Sequence, residues 1–179
     1  MDSPTHARWF AVCRTCIFIV LFMGTVGIYL PRYLGLLSRG MHSGWRLVGA
    51  IPLAAGAYVA VRCAFAFAWT GRGTPAPFDP PRRLVVTGLY RYVRNPMYFG
   101  MALFLTGELL LWGNNPQGAV GYIGVFAAAV TLFVLLYEEP VLGRKFPEDY
   151  AAYFRSVPRF LPRPHPWDPQ KSKGATSAD

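Results

Sequence analysis

Between Thr87 and Tyr98 the chain reads TGLYRYVRNPMY, which sets three tyrosines, two arginines and the Asn95-Pro96 step directly ahead of an apolar run. Forty residues beyond Tyr98, Glu138 and Glu139 stand side by side at the end of another apolar run, with Pro140 after them. Arginines recognise carboxylates and phosphates, and carboxylates recognise amines, sulfoniums and hydroxyls. Charges at the ends of membrane helices are costly unless they pair or bind something. The two segments therefore read as halves of one polar site at a membrane face.

Apolar helices must position those residues. The chain has 179 residues, enough for one domain, and is 53% hydrophobic and only 15% charged. Its apolar residues are bunched. Cys16–Leu30 and Leu47–Val61 carry no charge, and Met97–Trp112 and Val120–Tyr137 flank a turn from Gly113 to Gly118. A membrane-spanning helix needs about 20 mostly apolar residues, and all four runs approach that length with their flanks. The expected fold is an all-α integral membrane protein of about four spans. The first run is read as a span, because its apolar part is longer than a signal-peptide core and no small-x-small cleavage site follows it.

The net charge of +9 is distributed as membrane topology requires, which excludes nucleic acid as the partner. With four spans, Arg8, Arg14, Arg72, Arg82, Arg83, Arg91 and Arg94 share a side with seven basic residues from Arg144 to Lys173. Only Arg32, Arg39 and Arg46 fall opposite. The positive-inside rule then makes both termini and the polar site cytoplasmic. Part of the excess serves attraction to anionic lipid.

Other groups read as structure. Cys13, Cys16 and Cys63 lie in or beside apolar runs, and the three histidines are scattered, so no metal site is expected. Glu108 sits at membrane depth but ten residues from Tyr98, about 15 Å along a helix, and is assigned a structural role. Arg62 is expected to snorkel to the interface.

Pro31 is expected to stop the first helix and Pro52 to kink the second. Gly71–Pro81 reads as an extended loop. From Phe146 to Val157, apolar residues recur at spacings of three and four among charges, which predicts a C-terminal amphipathic helix lying in the interface or folded over the bundle. Residues 1–162 form the single domain, and residues 163–179 are expected to be a disordered tail.

At the site itself, Asn95 is a good helix cap and Pro96 a good first helical residue. Arg91 and Arg94 at a helix's positive end would be satisfied by a bound anion. Glu138 and Glu139 lie at the negative end of theirs, and Pro140 disfavours helical geometry at Glu139, so a bend is expected there. Glu139 either favours the N-terminus of a new helix at Pro140 or needs cations, which Arg91 and Arg94 supply from the same side.

At this point the sequence resembles a family: the membrane methyltransferases that include isoprenylcysteine carboxyl methyltransferase and phosphatidylethanolamine N-methyltransferase. The first block is Gly88-x-Tyr90-x-x-x-Arg94-Asn95-Pro96-x-Tyr98-x-Gly100. The second is Glu138-Glu139-x-x-Leu142-x-x-x-Phe146-x-x-x-Tyr150-x-x-Tyr153-x-x-x-Val157-Pro158-Arg159. The likeness covers residues 71–162. It implies S-adenosylmethionine as cofactor, with contacts at Tyr90, Arg94, Asn95, Pro96, Tyr98, Gly100, Glu138 and Glu139, and Tyr150 and Tyr153 as walls. The candidate catalytic residues are Arg94, to anchor the donor or an acidic acceptor, and Glu139, since one of the two acids that hold the donor's polar groups can be free to take a proton.

Asn95 and Pro147 depart from the histidine and glycine of many members, so any acid–base role of that histidine has no counterpart here. The implied acceptor is lipidic or a hydrophobic small molecule, and prenylated cysteine, a phospholipid amine, another lipid and a small thiol all stay open. The fifteen arginines against three lysines point to a GC-rich bacterium, hence to its inner membrane. The rival readings are an NADPH-dependent sterol-reductase-like enzyme, and a small membrane scaffold or transport subunit. The oligomeric state is left open.

Overall fold

A lipid environment offers the backbone no hydrogen-bond partners, so charge-free apolar runs must close their own bonds as helices. The computed structural model describes residues 4–38, 44–71 and 82–169, and these are helical apart from loops and one isolated bridge, Leu37 with Gly113. The 72–81 loop, the turn around Gly40, and the tail from residue 170 with Lys171 and Lys173 lie outside the described residues.

In chain order the helices are α1 (Pro4–Met23), α2 (Leu30–Tyr33), α3 (Ala50–Ala66), α4 (Pro96–Trp112), α5 (Pro116–Phe133), α6 (Glu139–Lys145) and α7 (Pro147–Ser156). π-Turns at Gly24–Tyr29 and Val134–Glu138 fuse α1 to α2 and α5 to α6, and another, Phe67–Gly71, extends α3. Three continuous helices are long and apolar enough to span: Val12–Tyr33, Arg46–Gly71 and Pro116–Lys145. The fourth expected span, Pro96–Trp112, is 17 residues, about 25 Å at 1.5 Å per residue. It is shorter than the others because its lead-in folds as a 3-10 turn, Gly88–Arg91, which Gly88 opens at a φ of 58°.

Three proline expectations are corrected together. Pro31 does not stop the first helix: it sits in the first turn of α2, just after a π-turn, and the helix runs on to Tyr33. Pro52 lies in the first turn of α3, where a missing N–H costs little, after a 3-10 stretch at Gly44–Gly49. No bend occurs at Glu139-Pro140 either. Glu139 keeps helical geometry, and its N–H bonds Val134 O in the wider turn, which carries the chain into α6.

The short helix α4 is the hub. On one side its backbone touches α3 at two points seven residues apart. A Cβ on Gly56 would lie 2.4 Å from Gly100 O, and one on Gly107 would lie 2.3 Å from Leu53 N. Only glycine permits such an approach, a common device where helix packing in lipid rests on van der Waals contact. On the other side Met101 and Leu105 pack with Phe126 of α5, and with Phe22, Met23 and Val26 from the first helix. Only 6% of the Pro116–Lys145 span is buried, so that helix mainly faces outward. At the end remote from the acids, Arg46 Nη1 donates to Gly113 O (2.7 Å) and Ser38 N to Trp112 O (2.7 Å).

The amphipathic α7 folds over the other end of the bundle. It buries Tyr150, Tyr153 and Val157 against Leu84, Val86, Leu142, Phe146 and Trp167. Beyond Pro162 the described chain makes further contacts with the lead-in to α4. Arg163 N donates to Tyr92 O (3.0 Å), and Trp167 N to Arg91 O (2.9 Å). The Trp167 ring, 5.5 Å from that of Tyr153, supplies the apolar anchor.

Candidate functional site

The antiparallel pairing of α4 with the Pro116–Lys145 helix brings the two polar ends together. Tyr98, one turn into α4, donates its hydroxyl to Glu138 Oε2 at 2.9 Å. Next to that bond lies a cavity of about 20 Å³ lined by Phe67, Tyr90, Arg94, Asn95, Met97, Tyr98 and Glu138. Its size is that of one water molecule. Five expected site residues thus meet around one space: Tyr90, Arg94, Asn95, Tyr98 and Glu138.

Arg94 is the buried cation of the site. Its side chain is 8% exposed, and its guanidinium carbon stands 4.1 Å from the centre of the Phe154 ring of α7, a cation–π contact. Nη1 lies 3.0 Å from Glu139 Oε1, yet Nη1 and Nε are both buried without a hydrogen-bond partner. The two observations agree if the contact is read as an ion pair whose angle does not suit a hydrogen bond. An arginine with two such nitrogens is short of acceptors, and the cost of leaving a buried donor unmet is about 1–3 kcal/mol.

Glu139 has another partner. Arg159 grips it with a fork, Nε to Oε1 at 2.8 Å and Nη2 to Oε2 at 2.9 Å. Glu139 does not line the cavity, whereas Glu138 does. Hydrogen bonding to Glu139 also holds the Arg159 guanidinium above its usual pKa range.

Several expectations are corrected. Arg91 does not face the acids: its Nε donates to Trp167 O at 2.6 Å, so it fastens the C-terminal segment. Asn95 does not cap α4. Its amide donates to Arg159 O at 3.1 Å and no side-chain cap bond forms. Asn115 does cap α5, accepting from Gly118 N at 2.9 Å. The difference lies in the neighbours, since the 158–159 segment passes over residues 94–95 and Arg94 N donates to Pro158 O at 2.9 Å. Pro96 opens α4 without lining the cavity, and Gly100 faces α3, so its small size serves helix packing.

The tyrosines form the wall behind. Tyr153 donates to Tyr90 O at 2.7 Å. Burial raises the pKa of the Tyr90 and Tyr153 hydroxyls, and pushes that of Tyr150 up to about 12, with Glu139 adding to it. All three stay protonated at neutral pH; Tyr153 serves as a donor, while Tyr150 takes a hydrogen bond from Arg94. Sequence reasoning left Phe67, Met97, Phe154 and Arg159 out of the site. Arg159 closes the second motif block, so the signal for it was present; the others are single apolar residues without one.

Fold and site together define a helical integral membrane protein with a charged pocket at one end of its bundle. The chain belongs to the phospholipid methyltransferase family, whose model matches residues 45–149. That makes it a membrane methyltransferase by family. No curated protein and no solved structure matches the chain. The matched stretch holds the first block and the acidic pair, while Tyr150, Tyr153 and Arg159 join the site by geometry.

Proposed function

We propose that this protein transfers the methyl group of S-adenosylmethionine to a lipidic or hydrophobic acceptor at the cytoplasmic face of a bacterial inner membrane. The observation that carries the reading is the pairing, in one cavity, of a buried arginine with unmet donors and a carboxylate held by a single tyrosine. A zwitterionic amino-acid arm satisfies both: its carboxylate suits Arg94 and its ammonium suits Glu138. S-adenosylmethionine carries such an arm, and its sulfonium supplies an electrophilic methyl. The charges of the lining residues therefore fit the cofactor's amino-acid arm.

The protein's contribution is to bind, orient and exclude water. In-line displacement needs the acceptor atom held about 3–3.5 Å from the methyl more than it needs a strong acid or base. Arg94 and Glu138 would hold the carboxylate and the ammonium of the donor's amino-acid arm, and Tyr98 orients Glu138. A carboxylate or thiolate acceptor arrives already charged. An amine acceptor has to lose a proton, and Glu138 is the better placed of the two acids to take it, because Glu139 is neutralised by Arg159 and Arg94. The family supports a lipid acceptor, and the positive-inside bias supports the cytoplasmic face.

The test has two parts. Purified protein in lipid nanodiscs should bind S-adenosylmethionine, and labelled methyl should pass from it into a total lipid extract. Absence of binding by the folded protein refutes the reading. The chemistry of the labelled product decides among amine, carboxylate and thiol acceptors.

A further inference from the structure

Arg159 neither lines the cavity nor touches anything in it, yet it takes up both oxygens of Glu139. Without it, Glu139 would sit alone beside Arg94, 3.0 Å from Nη1, and would cancel its charge. With it, two guanidiniums share one carboxylate, and one positive charge is left over. Adding Glu138 brings the four groups to zero, the charge balance that suits a zwitterion. The orientation agrees with the charge count. Glu139 makes its hydrogen bonds to Arg159, so the Nε and Nη1 of Arg94 remain without acceptors. Asn95 and Arg94 hold the 158–159 segment in place through Arg159 O and Pro158 O.

We propose that Arg159 is a positioning residue that neutralises Glu139 and so keeps the charge of Arg94 available for an anionic group of the donor. This rests on the reading of the site as an S-adenosylmethionine pocket, and adds to it that the second glutamate acts through arginines instead of touching the ligand. The neighbouring acidic residues thus have separate duties, Glu138 toward the ligand and Glu139 toward the framework.

The test uses the full chain in nanodiscs and calorimetric affinities for S-adenosylhomocysteine and 5′-methylthioadenosine. The first keeps the amino-acid carboxylate and the second lacks it. Arg159→Gln should weaken S-adenosylhomocysteine roughly tenfold or more, as loss of one nearby charge in a partly buried site implies, and should leave methylthioadenosine unchanged. The double variant Arg159→Gln with Glu139→Gln restores the leftover charge and should recover most of the lost affinity. Arg159→Lys, which keeps the charge without the fork, should fall between the wild type and Arg159→Gln. Equal weakening of both ligands, or a double variant as weak as Arg159→Gln, overturns the proposal in favour of a packing role. Wild-type affinity in Arg159→Gln overturns it too. A wild-type protein that binds neither ligand instead brings down the cofactor reading itself, and this proposal with it.

Discussion

The two ends of α4 each bury an acid or a base, and they treat it differently. At the Tyr98 end, Arg94, Glu139 and Arg159 are joined by contacts of 2.8–3.0 Å, and Glu138 beside them is held by Tyr98 at 2.9 Å. At the other end Glu108 is buried to 4% exposure with Oε2 lacking any hydrogen-bond partner among the described residues. Its oxygen faces Gly27 in the π-turn of the first helix, 3.7 Å from where a Cβ would stand. A set of opposite charges held close with donors to spare is built to receive a ligand. One buried acid, facing a glycine and feeling the charge of Arg32 without a bond to Oε2, is not. Depth in the membrane alone does not mark the functional group; the company it keeps does.

The broadest way to break the comparison is to remove the helix both ends share. Gly107→Leu puts side-chain atoms where the backbone of α3 already lies, with the Cβ itself 2.3 Å from Leu53 N. Overpacking costs about 1–3 kcal/mol even where side chains can yield, and backbone cannot yield cheaply. The expected outcome is little or no monodisperse protein on size exclusion in detergent, and loss of the far end with the near one.

Next in size is Arg94→Ala. Truncating a buried charge that meets a ligand costs about 2–5 kcal/mol, so affinity for S-adenosylmethionine should fall on the order of a hundredfold. Glu139 still has its fork from Arg159, so the variant should keep its helical circular dichroism. Retained affinity would move the donor's anchor away from this residue.

How far the sequence led differs between the two ends for a physical reason. Four apolar helices, the antiparallel hairpin and the convergence of Tyr90, Arg94, Tyr98 and Glu138 followed from charge-free runs and from costly charges at helix ends. The roles of Asn95 and Arg91 did not follow, because capping and charge pairing are local rules and the 158–167 segment overrode both with long-range bonds. Pro140 was misjudged because a π-turn lets a helix carry a proline that the α-helical rule forbids. The division of labour between Glu138 and Glu139 depends on where Arg159 returns in space. No spacing in the chain encodes that return.

A finer test separates the glutamates from the tyrosine that serves one of them. Tyr98→Phe removes the hydroxyl that Glu138 accepts at 2.9 Å and leaves the ring packed. A hydrogen bond to a charged group is worth about 1.5–3 kcal/mol, so kcat/KM for methyl transfer should drop roughly tenfold. No change would mean that Glu138 is oriented by the helix alone.

The smallest expected effect belongs to Glu108→Gln. The substitution keeps the shape of the side chain and removes a carboxyl whose Oε2 makes no hydrogen bond. Arg32 offsets only part of the cost of burying that carboxyl, and a neutral amide relieves the remainder even if it is also imperfectly bonded. The melting temperature should stay the same or rise, and donor affinity should stay within about twofold, since Glu108 lies ten residues, about 15 Å, from Tyr98 along the helix. A tenfold loss of methyl transfer with unchanged melting would show that the two ends of α4 are coupled, and would put a second polar site at the end where the geometry places none. The same variant that rises in stability and keeps its activity would confine the chemistry to the end where the charges are paired.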